Sequence, residues 1–121
     1  MGIYHTFRPR GNAMRSRENV PARLSFGLSG QYQLTEIKVV PLIASQTNHN
    51  VLPVWHLVSD SYSDPVSLFF YGQSIPGMRP AIAGERPEPL EPNVTYRLFV
   101  TAGTLKGQHD FQIGGGQPAT K

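Results

Sequence analysis

The chain has 121 residues, enough for one hydrophobic core and too few for two, and its 12 glycines and 11 prolines favour many turns over long helices. It holds no cysteine, which excludes a disulfide framework and any cysteine zinc site. The formal charge of +3 is uneven: residues 1–23 carry Arg8, Arg10, Arg15, Arg17 and Arg23 against Glu18 alone, while the rest of the chain carries six basic and seven acidic side chains.

Residues 1–21 contain Pro9, Gly11, Asn12 and Pro21 and read as a basic, partly disordered arm, with Arg8, Arg10, Arg15 and Arg17 as its candidate anion contacts. A β domain is expected over residues 22–113. Leu24, Phe26 and Leu28 alternate with Ser25, Gly27 and Ser29, the pattern of a strand with one buried face, and Ser29-Gly30 reads as the turn that ends it. The next strand is predicted over residues 33–42, where Pro41 limits its extension. Residues 45–50 read as a polar loop and residues 51–59 as a strand apolar on both faces, in the middle of a sheet.

The cluster Ser59-Asp60-Ser61-Tyr62-Ser63-Asp64-Pro65 is dense in turn formers, and a strand follows over residues 66–71. Residues 74–92 hold five prolines and predict a long irregular crossing with at most one short strand. Strands are then predicted over residues 95–102 and 108–113, joined as a hairpin through 104–107, before a flexible tail over 114–121 that opens with three glycines.

The segment Leu90-x-Pro92-x-x-x-Tyr96-x-Leu98-x-Val100-x-Ala102 has a specific physical reading. A proline-fixed turn feeds a strand whose first inward aromatic carries a hydroxyl, and that hydroxyl can reach back to the backbone at residues 90–93 and pin the corner where the chain changes sheets. In this segment the chain resembles fibronectin type III and related immunoglobulin-like sandwiches. The resemblance implies an all-β, two-sheet antiparallel sandwich of about seven strands. The core tryptophan of that family stands on an earlier strand than Trp55 does here, and the immunoglobulin cysteine pair is missing. The phrases at residues 71–78, 96–100 and 107–111 also resemble small uncharacterised bacterial envelope proteins, often lipoproteins.

Candidate chemistry is sparse. His5, His49, His56 and His109 lack the local spacing of a metal site, so a metal-dependent enzyme would need His56 and His109 brought together by the fold. His109-Asp110 with Ser59, Ser61 or Ser63 lacks a nucleophile elbow, and adjacent strand residues point to opposite faces. No catalytic, metal or cofactor site is therefore expected. Exposed aromatics are the better clue: Phe69, Tyr71 and Phe99 stand opposite the predicted inward rows and are candidate protein contacts.

The expectation is a non-enzymatic interaction or structural module of a bacterial envelope, binding a protein partner or itself through a sheet face or through loops 45–50, 60–64 and 72–91. An Arg-rich arm that binds nucleic acid, in a nucleic-acid-binding or virion-associated β protein, is the first alternative. No apolar run approaches the roughly 20 residues needed to span a bilayer. Met1-Gly2 is read as a start placed on a mature segment whose export signal, with any lipid anchor, went with the native N-terminus, which gives a periplasmic location with the cytoplasm as alternative.

Overall fold

The structure, a computed structural model, describes residues 1–8, 23–47 and 50–113. Among the described residues, eight strands and one short helix follow in the order β1 (Ile3–Arg8), β2 (Arg23–Gln33), β3 (Glu36–Pro41), α1 (Leu42–Thr47), β4 (Trp55–Val58), β5 (Pro65–Phe70), β6 (Arg79–Pro80), β7 (Tyr96–Ala102) and β8 (Leu105–Phe111). They form two antiparallel sheets, one ordered β1-β2-β5 and the other β6-β4-β3-β7-β8. The arrangement is all-β with little helix and is compatible with a β-sandwich.

The sheets share one core because each strand alternates. Leu24, Phe26 and Leu28 of β2 and Phe69 of β5 face Ile37 and Val39 of β3, Trp55 and Leu57 of β4, Leu98 and Val100 of β7 and Phe111 of β8. Phe26 makes an edge contact to Phe111 across the sheets at a centroid distance of 5.0 Å and a tilted contact to Phe69 at 5.5 Å. Such pairs add about 0.5–1.5 kcal/mol each beyond the area they bury.

Several boundaries differ from those the sequence predicts. Residues 3–8, expected as arm, pair with β2 from Ile3↔Leu28 to Arg8↔Arg23, since Ile3, His5 and Phe7 alternate against Tyr4, Thr6 and Arg8. The rest of the expected arm, with Arg10, Arg15 and Arg17, and the expected tail lie outside the described residues. The chain does not turn at Ser29-Gly30; β2 continues to Gln33, and its pairing with β5 shifts register between Gly27 and Tyr32. The expected loop at 45–50 is in part helix α1, whose Ser45 hydroxyl donates to the Leu42 carbonyl. Only residues 55–58 of the expected strand 51–59 are in the ladder. The last hairpin turns at Gly103-Thr104, with Gly103 at φ 65°, so β8 begins at Leu105.

At the corner before β7, Pro92 is followed by Asn93 at φ 68°, the residue pair that a type II turn accepts. The buried Tyr96 hydroxyl accepts a 2.9 Å hydrogen bond from the Glu91 backbone N–H, and its ring stacks on Phe111 at 5.8 Å. A second clip stands at the start of β5. Ser63 is buried, accepts from the Leu34 N–H at 2.8 Å and donates to the Asp64 carbonyl at 2.7 Å. Gly77, at φ 90°, packs there so closely that a Cβ would lie 2.9 Å from the Ser63 Cα.

Tyr96→Phe removes the acceptor for the Glu91 N–H while keeping the ring. It is expected to lower stability by about 1–2 kcal/mol, read as a lower urea midpoint with an unchanged m-value.

Candidate functional site

The candidate residues fall on three surfaces. Phe69 is fully buried against Phe26 and Trp55, so it is core and not a contact residue; its neighbours Leu68 and Phe70 point outward instead. The alternation of β5 therefore runs opposite to the sequence expectation, with Phe69 inward. Tyr71 is half-buried, tilts against Trp55 at 5.1 Å, and shares its one hydroxyl proton between the Glu88 carbonyl at 2.7 Å and the Val54 carbonyl at 3.2 Å. Burial, with smaller contributions from Tyr96 and Glu88, holds its phenol well above the usual range. Tyr71 therefore ties the 85–90 crossing to the core and is not a free contact.

His56 and His109 do not meet. His56 stands on the outer face of β4, where Nε2 lies 2.6 Å from the Glu36 carboxylate, whereas His109 shares the inward side of β8 with Phe111, three strands away. No group of three or more metal-capable side chains exists among the described residues. Ser63 and Asp110 are also committed elsewhere, Asp110 to a two-pronged bond from Arg97 at 2.7 and 3.0 Å that holds its carboxyl below the usual range.

The partner of His109 is His5 on β1, a residue of the segment expected as arm. His5 Nδ1 lies 2.6 Å from His109 Nε2, one imidazole donating to the other, and this contact joins the edge of β1 to the edge of β8 across the sheets. Phe111 packs beside it. Burial first, and the proximity of His109 second, lower the pKa of His5.

Phe99 does stand on an outer face. It is half-buried on β7 between Lys38 of β3 and Gln108 of β8, with the Lys38 ammonium 5.3 Å from its ring centre. Beside it opens a groove of about 570 Å³ floored by Val40 and flanked by Leu52 and Ile82, which are 66% and 55% exposed. Lys38 and His56 stand on the groove wall, His56 bonded to the Glu36 carboxylate, and the Arg97–Asp110 pair lies further along β7 and β8 outside the groove. A smaller cavity of about 130 Å³ lies behind β4 between Trp55, Ile75, Met78 and Pro87.

The outer face of the three-stranded sheet is different in kind. Arg8 and Arg23 stand directly opposite each other, Thr6, Ser25 and Phe70 form the next row, and Tyr4, Gly27 and Leu68 the row after. No protein family, curated protein or solved structure matches this chain. No helix among the described residues is long and apolar enough to cross a membrane.

The His5–His109 contact sets a pH dependence. His5 takes up a proton in the unfolded chain near its ordinary pKa but only at lower pH in the fold, so the unfolded state binds more protons as pH falls, and stability falls with it. The urea midpoint is expected to drop between about pH 7 and about pH 5, and His5→Gln to flatten that drop; an equal slope in the variant places the dependence elsewhere.

Proposed function

We propose that the chain is a non-enzymatic interaction module of a bacterial cell envelope, built as an immunoglobulin-like, fibronectin type III-like sandwich. It binds protein through the outer face of its five-stranded sheet, and a second copy of the chain is the occupant that face suits. The fold part of the reading is supported by topology. The first, second and fifth strands lie in one sheet and the third, seventh and eighth in the other, the division found in immunoglobulin-type sandwiches, and Tyr96 opens β7 with its hydroxyl on the upstream backbone. Trp55 on β4 and the absent cysteine pair separate it from antibody-type domains.

The carrying observation is the open groove beside Phe99. An aromatic held on a strand with one cation over its ring, next to exposed Leu52 and Ile82, is the apolar centre with a polar rim that protein interfaces use. Arg97 and Asp110 pair within the face and Glu36 bonds His56, while Lys38, without a salt bridge among the described residues, lies over the Phe99 ring, and a two-fold contact repeats this same patch on both sides so that apolar centre meets apolar centre. The envelope setting is the part of the proposal that rests on the sequence resemblance of residues 71–78, 96–100 and 107–111 alone.

Sedimentation velocity tests the reading. The chain is expected to show a concentration-dependent dimer that Phe99→Ser abolishes with the circular dichroism spectrum unchanged. Phe69→Ser, in contrast, is expected to unfold the protein or cost it on the order of 3–5 kcal/mol. A chain that stays monomeric at high concentration, or a dimer indifferent to Phe99→Ser, overturns the proposal.

A further inference from the structure

The three-stranded sheet presents two arginines where sheets avoid them. Arg8 and Arg23 are cross-strand partners on the outer face, and like charges directly opposite one another destabilise a ladder unless something neutralises them. Neither makes a salt bridge among the described residues. The next row adds the hydroxyls of Thr6 and Ser25, which make no hydrogen bond among the described residues, and the Phe70 ring, over which the Arg23 guanidinium lies at 5.7 Å. These five residues line a shallow depression of about 320 Å³. Paired guanidinium forks with hydroxyls beside them are the donor set that a phosphate takes.

Further along the same face, Gly27 explains a second feature. It is buried although it points outward, because the Tyr4 ring lies on its backbone; a Cβ at this position would fall 2.1 Å from the Tyr4 Cζ. The glycine lets the ring lie against the sheet. Its other side is open, and Tyr4 is 58% exposed. A phenol ring backed by a sheet is a preformed stacking platform, and the four-residue step from Tyr4 to Arg8 sets it about 13 Å from the arginine row.

We propose that this face binds single-stranded nucleic acid, with Arg8 and Arg23 holding a backbone phosphate and Tyr4 stacking on a base. Phosphate contacts with an adjacent aromatic platform are the combination by which such strands are bound without sequence preference. The site stands on the sheet opposite the proposed protein-binding groove, so neither proposal depends on the other.

Fluorescence anisotropy of a labelled single-stranded DNA oligonucleotide, titrated with the full chain at several salt concentrations, tests it. Binding is expected to weaken steeply with salt, and Arg23→Gln to weaken it further while lowering the salt slope by about one. Tyr4→Ser is expected to weaken binding roughly tenfold with little change in slope, and Tyr4→Phe, which keeps the ring, to restore it. Absence of binding at low salt overturns the proposal. So does binding indifferent to Arg8→Gln with Arg23→Gln, which assigns the contact to other arginines. Binding that Tyr4→Ser leaves intact and a sulfated polysaccharide matches also overturns it, because the face then senses charge alone.

Discussion

The contact on which the architecture depends is the meeting of Phe26 with Phe111 and Phe69. Phe26 is the central inward residue of β2, the middle strand of the small sheet, and its ring touches both its own sheet and the opposite one. Trp55 extends the cluster through Phe69 toward Tyr71, and Tyr96 extends it through Phe111 toward the Glu91 corner. Once these rings occupy the space between the sheets, period-2 alternation dictates what stands outside: Phe99 and Lys38 on one face, Arg8, Arg23 and Tyr4 on the other. The candidate surfaces follow from the core.

The edges of the two sheets are handled differently. Between β1 and β8 the sheets approach closely enough for His5 to bond His109 and for Ile3 to cover Gly107, where an added Cβ would lie 3.0 Å from the Ile3 Cδ1. At the far side, β6 is only Arg79–Pro80 and β5 opens with Pro65, so proline interrupts both exposed ladders. The closed edge rests on an imidazole–imidazole hydrogen bond, while the far edge is blunted by proline. The lowered pKa of His5 makes the side where β1 docks sensitive to acid.

How much was legible in the sequence depended on whether a residue's environment was local. Leu24, Phe26 and Leu28 announce an inward row by alternation, and Leu90, Pro92 and Tyr96 mark the upstream backbone that the tyrosine reaches because turn and strand adjoin in sequence. On β5 the run Leu68-Phe69-Phe70 is apolar on both faces, so alternation could not say which face is core; the decision is made by Phe26 and Trp55, distant in sequence. β1 was obscured by the histidine and arginine in it, although Ile3, His5 and Phe7 carry a readable period of two. The His5–His109 pair and the Arg8↔Arg23 register join residues that only the folded sheets bring together.

The two sheets pack face to face through Phe26 and Phe111, which leaves Phe99 on one outer face and Arg8, Arg23 and Tyr4 on the other. Nuclear Overhauser contacts between the ring protons of these two residues test it most directly. A ring-centre separation of 5.0 Å predicts strong cross-peaks between them, joined by cross-peaks from Phe26 to Phe69. Their absence in a folded sample, with Phe111 showing contacts only within its own sheet, would contradict the shared core and every surface assignment built on it.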